Sequence, residues 1–224
     1  LLAFNLLLPH AKEIPFFRLT DGQNRYVYML GAIHGAHLEA EWYSLLHLQA
    51  LIENLSPDLL LVESRPEELT KDNWGDGPIE MPFASLTARS LDIEVQGIDW
   101  WTEESLHGDD TEREDRMFQN ILQHLSGHQA VLILTGWSHV GGFKQRLQSA
   151  GYKITPFTSA EKQTLFDTSG KVLSFPPGMT FYIQKRIEGD QITLQSETDS
   201  EWIARDREWN CTAPRTTGYD RGGG

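Results

Sequence analysis

Cysteine is almost missing from this sequence: Cys211 is the only one in 224 residues. A lone cysteine makes neither an internal disulfide nor a thiolate metal centre, so the fold has to stand without covalent staples. Positive charge is scarce as well, with 19 Lys and Arg against 32 Asp and Glu, a formal charge of -13. Proteins that grip a phosphate backbone need clustered cations, so no nucleic-acid partner is expected, and the acidic balance reads mainly as a solvated surface. No apolar run is long enough to span a bilayer. No Gly-x-Ser-x-Gly elbow surrounds Ser138, which makes that serine a poor nucleophile candidate.

Apolar material is ample. At 39% hydrophobic and 10% aromatic residues, the chain can bury the core of one domain. It opens on Leu1 to Leu8, then Pro9, His10 and Ala11. This run is either the remnant of an export signal with Ala11 as a cleavage position, or a buried N-terminal strand or helix. The first alternative places the protein in the periplasm or outside the cell, the second in the cytoplasm. Membrane association is indicated only through this run, and the oligomeric state is left open.

Residues 14–198 read as a single α/β domain. Strand-like Ile14–Thr20, the turn Asp21–Asn24 and the run Arg25–Ile33 form a β-hairpin. Helical spacing follows over Glu39–Asn54, closed by Ser56-Pro57. Asp58–Glu63 is apolar enough for a strand buried on both faces. Pro66–Pro82 reads as a loop, Phe83–Leu91 as a short helix, and Ile93–Asp99 as a strand. A helix capped at Asp109, Asp110 or Thr111 runs to Leu125, with Met117, Phe118, Ile121, Leu122 and Leu125 on its apolar face. Ala130–Thr135 is a second central strand, followed by a helix over Phe143–Ala150 that stops at Gly151. Tyr152–Phe157 reads as a strand, Ser159–Phe166 as a helix capped by Ser159, and Met179–Arg186 as a late strand with Ile192–Leu194 as its mate. Residues 199–224 are polar and read as a disordered tail. The expected fold is a central, largely parallel sheet flanked by helices, with an antiparallel edge hairpin.

Two stretches carry the chemistry. Leu30-Gly31-Ala32-Ile33-His34 and Leu134-Thr135-Gly136-Trp137-Ser138-His139 each end an apolar strand on Gly-x-x-His. With Glu63 and Asp99 they make four strand ends, which a parallel sheet with right-handed crossovers lays along one edge. Two imidazoles and two carboxylates are a first shell for Mn, Fe, Co or Zn, which would make His34, Glu63, His139 and Asp99 metal ligands. The same groups suit metal-free water activation by a histidine, and spacing leaves both open. Gly31 and Gly136 permit close approach of backbone or ligand.

Each residue also has a plainer reading. His34 and His139 could be hydrogen-bonded core histidines, His37 could bond locally within its Gly-rich turn, and Asp99 could cap the next segment. Glu63, ending an apolar strand, needs a metal, arginine or histidine partner. Arg113 and Arg116, three apart on one helix face, suit an anionic ligand or the carboxylates Glu63 and Asp99; the alternative is pairing with Glu112, Glu114 or Asp115. Arg65 reads as a substrate contact or a surface ion pair, Trp100 and Trp101 as core and pocket wall.

These motifs resemble the TraB/GumN/Tiki family, distantly related to erythromycin esterases and to haem-binding ChaN proteins. The resemblance spans roughly Pro15 to Phe157. It takes in Phe16-Phe17-Arg18-Leu19-Thr20-Asp21-Gly22, both Gly-x-x-His motifs, the strand ending at Glu63, and Glu112-Arg113-Glu114-Asp115-Arg116-Met117. The last is similar to the family's Arg-Asn/Asp-x-x-Met helix start, with Glu114 in the Asn/Asp place. Trp137 stands where small residues are commoner and alters the pocket's shape. The resemblance implies an erythromycin-esterase/ChaN-like fold (EreA/ChaN-like). It also implies a metal-dependent peptidase or esterase-like hydrolase, with a divalent metal (Mn, Co or Zn) at the matched residues His34, Glu63 and His139. Beside these matched residues, the reading of the chain itself makes Arg113 a further catalytic group and Arg65, Arg116, His37 and Trp137 substrate contacts for a peptide or small ester. The alternative is a non-catalytic haem- or peptide-binding module, with His34 or His37 as an axial iron ligand.

Overall fold

A computed structural model describes residues 14–38, 40–69, 77–101, 110–176 and 178–179. Six strands form one mixed sheet: β1 (Phe16–Thr20), β2 (Tyr26–Ala32), β3 (Leu59–Val62), β4 (Glu94–Gly97), β5 (Ala130–Gly136) and β6 (Lys153–Ile154), in the order β4-β3-β5-β2-β1-β6. β4, β3, β5 and β2 are parallel, while β1 runs antiparallel to both β2 and β6. The expected architecture, a mostly parallel sheet with an antiparallel edge, is what the chain forms.

The unbroken apolar runs of β3 and β5 follow from burial on both faces. Leu60, Val62, Leu132 and Leu134 point into one layer with α1 (Leu45–Leu55) and α2 (Glu80–Ser90). Their neighbours Leu59, Leu61, Val131 and Ile133 point into the other, with α3 (Asp110–Leu125) and α4 (Trp137–Ser149). Each such side chain, removed fully from water, contributes on the order of 1.5–3 kcal/mol. A fifth helix, α5 (Ser159–Leu165), packs beyond the hairpin. No helix among the described residues is long and apolar enough to cross a membrane.

Several boundaries differ from the sequence expectation, for identifiable reasons. α1 starts at Leu45 rather than Glu39, because Ser44 takes the cap position and its N–H donates to His47 Nδ1 at 3.2 Å. α2 starts at Glu80 rather than Phe83, since Pro82 falls in the first turn, where a missing N–H costs no helical bond. α4 starts at Trp137 rather than Phe143, directly at the strand end. Gly141 and Gly142 lower local helix propensity and mask that start in the sequence. α5 is capped by Thr158, not Ser159: Thr158 Oγ1 accepts from Glu161 N–H at 3.1 Å and Glu161 Oε2 accepts from Thr158 N–H at 2.7 Å, a reciprocal capping box. The expected late strand Met179–Arg186 past Met179, its mate Ile192–Leu194, the candidate cap Asp109, the tail 199–224 and the segment 1–13 lie outside the described residues.

Candidate functional site

Parallel pairing of β2 with β5, of β5 with β3 and of β3 with β4 lines up the ends of four strands. Glu63 follows β3 and lies at the centre of what they bring together. Its Oε2 accepts from the Thr135 hydroxyl at 2.7 Å and from the Gly136 N–H at 2.6 Å. Its Oε1 accepts from Arg113 Nη2 at 2.8 Å and faces His139 Nε2 at 3.6 Å. Burial pushes the Glu63 carboxyl up, but the His139, Arg113 and His34 charges and the Gly136 N–H outweigh it and hold the group at about 2. Glu63 is therefore an ionised carboxylate at neutral pH.

His34 and His139 approach this carboxylate from different backbones. His34 opens a 3-10 turn, His34–Leu38, with φ at +50°. A β-carbon rarely tolerates that left-handed region, and strain of this kind concentrates at functional sites. His139 sits in the first turn of α4 and is buried, not in a loop as a strand-end motif suggested. A Cβ on Gly136 would stand 3.2 Å from His34 Nε2 and 3.4 Å from Glu63 Oε2, so imidazole and carboxylate both lie over that glycine. Gly31 serves packing instead, because a Cβ there would come within 2.7 Å of Pro15 Cγ and 3.0 Å of Val140 Cγ2.

Each imidazole is anchored through Nδ1 by a carboxylate of its own. His34 Nδ1 lies 2.7 Å from Glu80 Oε1, and His139 Nδ1 lies 2.8 Å from Glu114 Oε1. Burial raises the Glu80 carboxyl, yet the His34 charge and hydrogen bond leave it below its ordinary value. An ionised partner accepts from Nδ1–H, which turns the Nε2 lone pair of a neutral ring inward. Neither Glu80 nor Glu114 stands out in the sequence. Glu80 falls in an expected loop, and Glu114 occupies the one place where the Arg113 motif departs from Asn or Asp.

Asp99 and Arg113 complete the cluster. Arg113 donates through Nε and Nη2 to the two Asp99 oxygens, both at 2.9 Å, and Trp100 N–H donates to Asp99 Oδ1 at 2.7 Å. Burial, only partly opposed by Arg113, raises the Asp99 carboxyl. The guanidinium, which burial alone would push down, is raised by its bonds to Asp99 and Glu63. Its Nη1 makes no hydrogen bond among the described residues. Asp99 thus serves as the anchor of Arg113.

Arg116 is exposed, 3.5 Å from Glu112 and over the Trp100 ring. Arg65 stacks on Trp101 at 4.2 Å and pairs with Glu68 at 3.2 Å. His37 is buried, accepts from Ile33 N–H at Nε2 and lies 3.0 Å from the Tyr43 carbonyl at Nδ1. Both nitrogens are used within the loop, so His37 pins the turn that carries His34 and has neither nitrogen left for substrate or haem iron. Trp137 is half-exposed and faces a surface pocket.

Four carboxylates, Glu63, Glu80, Asp99 and Glu114, share the cluster with one guanidinium, that of Arg113; Arg146 reaches Glu114 from outside at 3.7 Å. With both imidazoles neutral, negative charge exceeds positive in the cluster among the described residues, a balance that protons or a cation would restore. Carboxylate-anchored histidines are the usual surroundings of a metal-bound imidazole, so the donor chemistry suits Mn, Co or Zn. As the side chains stand, however, no group of three or more His, Cys, Asp or Glu among the described residues is gathered to hold a metal ion. In comparisons with known proteins, no protein-family model, curated protein or solved structure matches the chain.

Proposed function

We propose that this chain is a hydrolase of peptide or small-molecule ester bonds, acting at the centre formed by His34, Glu63, His139 and Arg113. One observation carries the reading: two imidazoles, each tied through Nδ1 to its own glutamate, turn their Nε2 atoms toward one ionised carboxylate. The order of motifs and the mixed sheet support a TraB/GumN/Tiki-like assignment with an erythromycin-esterase/ChaN-like fold.

His34 is the more accessible imidazole, 17% exposed in its side chain against 5% for His139, and so serves as the base. Its Nε2 takes a proton from water as the hydroxyl oxygen attacks the substrate carbonyl. Glu63 and Glu80 stabilise the resulting imidazolium, as a carboxylate partner does for any charged histidine. Arg113 Nη1 is the donor left to meet the oxyanion. The imidazolium then returns its proton to the departing amine or alkoxide, which closes the proton balance. His139, the buried imidazole, borders Glu63 at 3.6 Å.

The test combines turnover with composition. Wild type should cleave members of a panel of fluorogenic peptides and chromogenic esters, and His34→Ala/His139→Ala should not. Full activity in the double variant would falsify the mechanism. Elemental analysis after dialysis against Mn, Co and Zn divides the two forms of the reading. Near-stoichiometric metal that disappears in the double variant gives a metallohydrolase, and its absence from both proteins gives direct water activation. A Soret shift on adding haemin, without turnover, would favour the haem-binding alternative.

A further inference from the structure

A pocket of about 320 Å³ opens between the start of β1 and the outer face of α4, at the small end of the volumes that hold compact organic ligands. Ile14, Pro15, Phe17, Trp137 and Val140 wall it with apolar surface, and Lys144 and Lys162 line it as well. Because β1 runs antiparallel to β2, with Phe16 opposite Leu30, the start of β1 lies at the sheet edge where β2 and β5 end. The pocket and the candidate centre are therefore neighbours on one edge. α4 divides its residues between them: Trp137, Val140 and Lys144 turn to the pocket, His139 to Glu63.

Charge decides the occupant. In a chain of formal charge -13, two lysines, Lys144 and Lys162, line one pocket with largely apolar walls. The Lys144 Nζ sits 4.5 Å from the centroid of the Phe17 ring, and among the described residues no carboxylate lies within ion-pair distance of it. A cation held against an aromatic face at the wall of an apolar pocket retains its attraction for an anion in a partly desolvated place. We propose that this pocket binds an apolar or aromatic group bearing a carboxylate, with Lys144 meeting the anion and Phe17, Trp137 and Val140 the body. Two sources share that chemistry, the C-terminal residue of a peptide and a free aryl or alkyl carboxylic acid. For a substrate of the hydrolase proposed above, a role that rests on that reading, the pocket holds the non-reacting end.

Binding is read without turnover. 3-Phenylpropionate, N-acetyl-alanyl-phenylalanine and the amides of both are titrated into the full chain and followed by tryptophan fluorescence and by nuclear magnetic resonance of the indole N–H signals. The acids should saturate and bind roughly tenfold more tightly than their amides, the size expected of a charge-assisted contact. Lys144→Gln should erase that preference, Trp137→Ala should weaken acids and amides alike, and His34→Ala/His139→Ala should leave binding unchanged. A peptide acid that binds more tightly than phenylpropionate assigns the pocket to a chain end, and the reverse order to a free acid. Equal affinity of acids and amides, or an acid preference that survives Lys144→Gln, would overturn the proposal. Acid binding that persists in a protein without hydrolytic activity would separate this site from the failure of the hydrolase reading.

Discussion

His34 and His139 belong to segments of the same pattern, Gly-x-x-His, and they are held by different means. The first leaves its strand through a left-handed residue into a 3-10 turn; His37 pins the turn, and the Tyr43 hydroxyl donates to the Gly31 carbonyl of the strand before it at 3.0 Å. The second passes from strand to helix at Gly136 and is held by the α-helix itself. Their glycines differ as well, since Gly31 admits Pro15 and Val140 while Gly136 admits the imidazole of the other motif. The feature common to both histidines is absent from the pattern: a glutamate on Nδ1. Spacing delivers an imidazole to the sheet edge, and a distant carboxylate decides which nitrogen it presents.

The largest effects should come from the histidines. His34→Ala and His139→Ala should each lower kcat/KM by about 10²–10⁴, the range of a lost acid-base group. Because groups acting as one unit are far from additive, the double variant should fall little below the worse single one. A double effect equal to the product would show that the two motifs act independently.

The anchoring carboxylates should divide next. Glu80 is fully buried, whereas Glu114 is a quarter exposed and shared with Arg146. Glu80→Gln should therefore reduce kcat/KM by about 10–100-fold, as outer-shell partners of functional histidines do, and Glu114→Gln by less. The reverse order would make His139 the base.

Glycine replacement tests the backbone half of the comparison. Gly136→Ala sets a Cβ 3.2 Å from His34 Nε2 and should cost about 1–3 kcal/mol in denaturant unfolding, with lost activity. Gly141→Ala, inside α4 with open space at the Cβ position, should stabilise by about 0.5–1 kcal/mol. Least of all, Tyr43→Phe removes one buried hydrogen bond to Gly31 at the end of β2, just ahead of the turn that carries His34, and should cost about 1 kcal/mol, leaving the second motif untouched.

Much of this arrangement is legible in the sequence. The apolar runs around Leu60 and Ile133 announce two-sided burial, and the hairpin ahead of His34 is marked by its turn residues. Parallel order then follows from alternating strands and helices. What stays hidden depends on partners remote in sequence. Glu80 lies 46 residues from the histidine it holds, and its helix begins under a Gly- and Pro-rich stretch that reads as loop. Arg113 and Arg116 share a helix face in the sequence, yet Arg113 bonds to Glu63 and Asp99 while Arg116 lies exposed beside Glu112. No local pattern distinguishes them, because the difference is made by the ends of β3 and β4.

The junction between β5 and α4 has no loop, and this bears on how the protein can vary in length. One residue added between Gly136 and His139 would rotate the imidazole by about 100° around the helix axis and carry it along that axis by about 1.5 Å. Glu63 and Glu114 would then be out of reach together. Residues 40–43, ahead of α1, are not bound by a helical phase, so insertions near the first motif are tolerable there. Among descendants of this chain, differences in length should collect after the first histidine and stay out of the second motif.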